Sequence, residues 1–231
     1  MKTVACMALA AAMSSSASAG FANYVVTKTS TSNSGVALDV YTLYARFDGM
    51  GANDTVLFAG NFNRVDGSAG NVFYHKDDVN GGVLSKADGS WAPQSTGSST
   101  LNRPFDSFLT IGGNASATNT TRPGPSWPGS GSGFSWERPD LPSGFNIGWF
   151  NPNPSNLQGR VNVGENTFDV RLGQFVLDAG ADGGVWNLRI TFNSGVAGAP
   201  VQFAERTFNI PAPGAIAVLG LAGLAGRRRR S

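Results

Sequence analysis

In Val185 to Asn193 the residues alternate: Trp186, Leu188, Ile190 and Phe192 fall on one side, Asn187, Arg189, Thr191 and Asn193 on the other. A two-residue period fits only an extended strand with one buried face. The same period recurs along the chain. In Val36 to Phe47 it sets Val36, Leu38 and Val40 against Ala37, Asp39 and Tyr41. Thr55 to Phe62 groups Val56, Phe58 and Phe62, and Thr167 to Asp178 groups Phe168, Val170, Leu172 and Val176. Val201 to Ile210 reads as the last strand. Shorter candidates are Tyr24 to Thr29, Asn71 to His75, Phe105 to Ile111, Phe145 to Phe150 and Arg160 to Val163. Between Gly20 and Asn209 no stretch carries the 3.6-residue period of an amphipathic helix.

The connections fit this reading. Asp48-Gly49, Asp66-Gly67, Asn80-Gly81-Gly82, Asp88-Gly89 and Asp182-Gly183-Gly184 all tolerate positive φ. Short strands joined by glycine-rich turns predict an all-β fold, a single antiparallel β-sandwich or jelly roll spanning residues 20–209. Asp178 to Gly184 is the strongest hairpin candidate. Gly112 to Gly144 breaks the pattern, because Pro123-Gly124-Pro125, Pro128-Gly129 and Gly131-Ser132-Gly133 disfavour any regular element. It is expected to be one long loop, and loops of that length are usually functional or flexible inserts.

The two ends have a different character. Met1-Lys2-Thr3 is a short positive segment, Val4 to Met13 is apolar but too short to span a bilayer, and Ala17-Ser18-Ala19 has the A-x-A form of a cleavage site. Residues 1–19 are therefore expected to be a signal peptide, removed after Ala19. Cys6, the one cysteine, would leave with it, and the exported body would hold no disulfide.

From Ile210 the chain reads Ile210-Pro211-Ala212-Pro213-Gly214, then an unbroken run of Gly, Ala, Val, Ile and Leu to Gly226, then Arg227, Arg228, Arg229 and Arg230. As a helix, Gly214 to Gly226 would reach roughly 20 Å, short of the ~30 Å hydrocarbon core. The arginines would hold its end on the cytoplasmic side. A short, weakly held span suits a transient sorting handle. Residues 210–231 resemble the PEP-CTERM sorting signal of Gram-negative bacteria: a Pro-x-Pro motif, an apolar transmembrane helix and an arginine cluster. With alanine between the prolines, Pro211-Ala212-Pro213-Gly214 is similar to the variant of planctomycete-like bacteria. The resemblance implies an exosortase-like processing enzyme as partner. It also implies an inner-membrane intermediate, then a place on the outer surface or in the exopolysaccharide matrix. Phe105-Asp106-Ser107-Phe108-Leu109-Thr110-Ile111-Gly112, Gly148-Trp149-Phe150 and Leu172-Gly173-Gln174-Phe175 also resemble segments of exported planctomycete-type surface proteins, a group that brings no activity with it.

Charge narrows the partners. Lys2 and the four tail arginines are five of the 17 basic residues, which leaves 12 against 15 acidic ones in the body, a net of −3. The twelve are scattered singly from Lys28 to Arg206, whereas a nucleic-acid binder would gather them into a basic stripe. Nucleic acid is excluded as a partner on that ground.

Little in the body points to catalysis. His75 is the only histidine, no nucleophile-elbow motif accompanies it, and the spacing suggests an exposed turn residue at a strand end. One histidine and no mature cysteine give zinc too few ligands. Glu137, Glu165 and Glu205 are the only glutamates, and nothing marks a glycosidase pair among them. Asp48 to Asp54 and Asp178 to Asp182 collect oxygens of the kind calcium takes, and ordinary turns account for them equally well. Of the five tryptophans, Trp186 fits a buried strand face, while Trp91, Trp127, Trp136 and Trp149 fall in loop-like sequence. Exposed, Trp127, Trp136 and Trp149 would make glycan contacts; folded back, they would cap the core. The expected function is therefore a non-enzymatic cell-surface or extracellular-matrix protein. A carbohydrate-binding module contacting exopolysaccharide is the alternative, and a secreted glycan hydrolase the third.

Overall fold

The computed structural model describes residues 20–48, 55–64, 72–75, 84–86, 90–93, 104–124, 136, 141, 147–161, 168–196 and 198–210. Residues 1–19, read above as a signal peptide, the tail from Pro211, Trp127, Glu137 and Glu165 lie outside them. The described chain is all-β. Its strands are β1 (Gly20–Asn33), β2 (Val36–Asp48), β3 (Val56–Arg64), β4 (Phe108–Leu109), β5 (Arg122–Pro123), β6 (Ile147–Phe150), β7 (Asp169–Asp178), β8 (Gly184–Asn193) and β9 (Gln202–Ile210). One 3-10 turn, Pro154–Asn156, interrupts the β order. Among the described residues no helix is long and apolar enough to cross a membrane.

The strands form two antiparallel sheets, β1-β2-β7-β4 and β5-β6-β3-β8-β9. Tyr41, Leu43, Phe47, Val170, Leu172 and Phe175 of the first share one hydrophobic core with Trp149, Trp186, Leu188, Ile190 and Phe192 of the second. Burying each such side chain contributes about 1.5–3 kcal/mol. Aromatic edges cross between the sheets: Phe47 meets Phe192 with ring centroids 5.0 Å apart, and Tyr24 meets Phe208 at 5.7 Å. Tyr24 also donates its hydroxyl to the Leu188 carbonyl at 2.9 Å, which ties β1 to the opposite sheet.

The β8 alternation appears as expected, with Trp186, Leu188, Ile190 and Phe192 buried and Arg189 exposed. Three other expectations are corrected. The core cluster takes Tyr41, Leu43, Ala45 and Phe47 from β2; Leu38, of the other alternating set, is fully buried outside that cluster, and Val36 of the same set lies exposed. In β7 the register slips between Leu43 and Tyr44 of the partner strand, so Val170 and Leu172 face the core and then Phe175 and Leu177 do. An extra residue in one strand reverses every side chain beyond it, so strict alternation fails across the bulge. Phe168, grouped with that face by its spacing, lies exposed.

The third correction is topological. Asp178 to Gly184 does not close a hairpin, because β7 belongs to the first sheet and β8 to the second. The segment turns between layers. Gly180 N–H donates to Asp39 Oδ2 at 3.0 Å, and Gly183 sits so close to Ile210 that a Cβ there would lie 2.6 Å from its side chain. The tight hairpin is instead β1–β2, closed by Ser34 and Gly35 at φ 51° and 82°, the positive values of a type I′ turn.

The stretch read as a structureless loop is also ordered where it is described. Residues 112–124 include β5, and Gln158 pins them: its Nε2 donates to Ile111 O at 2.8 Å, Asn119 Oδ1 at 2.9 Å and Thr121 Oγ1 at 3.0 Å. Gln158 Oε1 accepts from Thr120 N at 3.0 Å. Side-chain amides here satisfy backbone groups that no strand ladder reaches.

Candidate functional site

His75 is not an exposed turn residue. It is 0% exposed, because Tyr74 N–H donates to Val176 O at 2.7 Å and lays the 72–75 segment along β7, with Phe73 and His75 turned inward. Its Nδ1 lies 3.0 Å from the Ser107 carbonyl, to which it donates, and 3.6 Å from Asp106 Oδ1. The Trp91 ring meets the imidazole edge-on at 4.8 Å. The Ser107 hydroxyl oxygen is engaged elsewhere, accepting from Val176 N–H at 2.9 Å. The arrangement is a buried polar anchor between β7 and the segments laid over it.

Two of the carboxylates considered for calcium, Asp178 and Asp182, accept from protein donors. Asp178 accepts from Tyr74 Oη at 2.7 Å and pairs with Lys86, and that lysine's hydrogen bond holds its carboxyl below the ordinary aspartate range. Asp182 Oδ1 caps the Gly184 N–H at 2.9 Å. Asp48 lies at the end of β2, and the rest of its segment falls outside the described residues. Among the described residues no group of three His, Cys, Asp or Glu comes together.

The tryptophans go inward. Trp149 is 1% exposed and Trp136 8%, so neither offers a ring face to a ligand, and Trp91 and Trp186 are fully buried. Trp149 stands on β6 in the second sheet and donates Nε1–H to the Thr110 carbonyl, just past β4 of the first, at 2.9 Å. Gly60 makes room for its ring; a Cβ at that position would lie 2.7 Å from Cζ2. The expectation of Trp136 and Trp149 as glycan contacts is thereby corrected. An indole buried against glycine is a core element, whatever the sequence around it looks like.

The outward face of the second sheet gathers exposed aromatic and charged side chains. Register places Arg122, Phe150, Ala59, Thr191 and Phe203 in one row across all five strands. The neighbouring row holds Gly148, Asn61, Arg189 and Glu205, and Asn187 pairs with Thr207 beyond it. These positions alternate with the buried Trp149, Ile190 and Leu188, which fixes them on the solvent side. Phe203 is 57% exposed, and the Arg189 guanidinium lies over its ring at 4.4 Å. Glu205 stands directly opposite Arg189 in register, yet accepts from Asn187 Nδ2 at 2.6 Å instead. Arg122 is exposed and donates Nη1 to the Thr121 carbonyl at 3.2 Å.

At the end of this face, beside the Val56–Asn193 pair, opens a mostly apolar cleft of about 370 Å³. Phe58, Leu157 and Val196 line it with Ser155. Leu157 holds φ at 58°, a left-handed conformation that leucine adopts at a cost of about 1–2 kcal/mol. Sequence reading missed this face because it carries no motif: its members come from five strands, and only register brings them together. No protein-family model matches this chain, and no curated protein matches it either.

Proposed function

We propose that this chain is an exported, non-enzymatic cell-surface or matrix protein, a β-sandwich body delivered by a C-terminal sorting signal of the PEP-CTERM type. The observation that carries the proposal is the junction between body and signal. β9 runs to Ile210, which is fully buried and paired with Gly184, and Pro211-Ala212-Pro213-Gly214 follows at once. A membrane enzyme acting at the Pro-x-Pro would have its motif next to the folded body without unwinding a described strand. The apolar run to Gly226 and Arg227 to Arg230 would supply the transient membrane hold.

The test is mass spectrometry of both termini after expression of the full chain in a host that carries an exosortase. A mature protein starting at Gly20 and ending near Pro211 to Gly214 is the expected product. Recovery of the chain in the cytoplasm, intact from Met1 to Ser231, would overturn the reading. Substituting Arg227 to Arg230 by glutamine should leave the precursor unprocessed.

A second reading, a carbohydrate-binding module that contacts exopolysaccharide, is favoured by one observation. The outward face of the second sheet combines an exposed ring, Phe203, with arginine, amide and carboxylate groups. Apolar ring faces together with planar hydrogen-bonding groups suit sugars, whose two faces are apolar and whose rims are polar.

A further inference from the structure

We infer that the outward face of the second sheet binds an acidic, carboxylate-bearing polysaccharide, with Arg189 and Arg122 as its anion contacts and Phe203 as its stacking ring. The inference rests on the carbohydrate-binding reading and names the class of ligand. Charge carries it. The body is net −3, yet the three charges that register places on this face are Arg122, Arg189 and Glu205, a local +1 within an acidic molecule.

Three cations elsewhere in the described body are paired: Lys28 with Asp39 at 2.9 Å, Arg46 with Asp169 at 2.7 Å, and Lys86 with Asp178. Arg122 and Arg189 meet no carboxylate within ion-pair distance among the described residues. Glu205 could have taken Arg189 and takes Asn187 instead. That leaves a guanidinium stacked on an exposed ring with its hydrogen-bonding edge open, the geometry that receives a carboxylate in bidentate fashion.

The spacing fits a polymer rather than a single small anion. Arg122 and Phe203 lie at opposite ends of a five-strand row, four steps of ~4.8 Å apart, about 19 Å. Asn61 and Asn187 lie on the same face and add amide donors and acceptors for hydroxyls. Arg122, Arg189, Phe203 and Glu205 are all exposed on this face, so a chain can lie across the strands without entering a closed pocket. Two separated arginines with a ring recognise charge at intervals along a strand of sugars.

Biolayer interferometry of the full chain on immobilised alginate, dextran and single-stranded DNA tests this. Alginate should be retained well above dextran. Arg189→Gln and Arg122→Gln should each weaken alginate binding about 3–10-fold, the double variant by more than either. Phe203→Ala should weaken it to a similar degree. Arg206→Gln, at an exposed arginine that lies over Phe21 on the opposite side of β9, should change it less than twofold. Parent and variants keep the same tail, so the contribution of Arg227 to Arg230 cancels in the comparison among them, and that comparison is the one that decides.

Three outcomes overturn the inference. One is no retention on alginate. A second is equal retention of parent and double variant. The third is DNA binding with the same affinity and the same dependence on Arg122 and Arg189, which would make the face a general polyanion or nucleic-acid surface. Binding by purified protein does not depend on where the cell sends it, so a failure of sorting leaves this result standing. Loss of binding in a correctly processed protein refutes the face alone.

Discussion

Trp149→Phe separates a core tryptophan from a ligand contact, and its cost follows from the geometry. The substitution removes the Nε1–H that reaches the Thr110 carbonyl at 2.9 Å, leaving that buried oxygen without this donor. An orphaned buried acceptor costs about 1–3 kcal/mol. The smaller ring also leaves a space against Gly60, for about 1 kcal/mol more. The expected loss is about 2–4 kcal/mol, or roughly 5–15 °C in Tm for a body of this size. Urea unfolding followed by circular dichroism measures it, with an unchanged m-value showing that the native state is otherwise intact.

A double-mutant cycle sharpens the test. Gly60→Ala places a Cβ 2.7 Å from Cζ2 and 2.9 Å from Cη2 of the indole, an overpacking expected to cost about 1–3 kcal/mol. In the Trp149→Phe background those atoms are gone and the penalty should fall by at least about 1 kcal/mol. Additive effects, or a Trp149→Phe protein that melts with the parent, would show that the indole does not bridge the sheets. A glycan-contact role predicts that opposite pattern, lost binding at unchanged stability.

Two further expectations concern single sites. Asp39 is nearly buried; burial works to raise its pKa, but Lys28, the Gly180 N–H and Ser30 together hold the carboxyl below the ordinary range. A depressed carboxylate stabilises above its unfolded pKa of about 3.9 and loses that contribution as pH falls through the folded value. Asp39→Asn should therefore cost about 1–3 kcal/mol near pH 7, and the gap to the parent should close below about pH 4 in thermal melts. A gap that persists at pH 2.5 would refute the assignment. Ser34→Asn should stabilise the protein by about 0.5–1 kcal/mol, because Ser34 sits at φ 51° ahead of Gly35 and Asn-Gly is the favoured type I′ pair; a lower Tm by calorimetry would contradict it.

Local chemistry explains which features were readable in advance. β8 shows its alternation because it pairs on both sides, with β3 and β9, and has one face in the core and one in water. Glycine-rich turns and the lack of helical period then point to antiparallel sheets. β7 defeats the same reasoning: it is buried on both faces, so polar residues such as Arg171 and Gln174 lie inside and a bulge shifts its register. The hairpin expected at Asp178 to Gly184 fails for a related reason. A turn dictates that the chain reverses, not which sheet receives it, and that choice was made by β2 pairing with β7 and by β3 and β9 pairing with β8.

The candidate site divides along the same line. Strand type, net acidity and the targeting character expected of both ends rest on residues adjacent in sequence, where composition and period act directly. The fate of Trp149, the burial of His75 and the row from Arg122 to Phe203 depend on residues as much as 144 positions apart (Ala59 and Phe203), brought level by hydrogen-bond register. Side-chain chemistry says what a residue is able to do. Only the pairing of strands, a long-range and cooperative event, decides whether it faces the core or a partner.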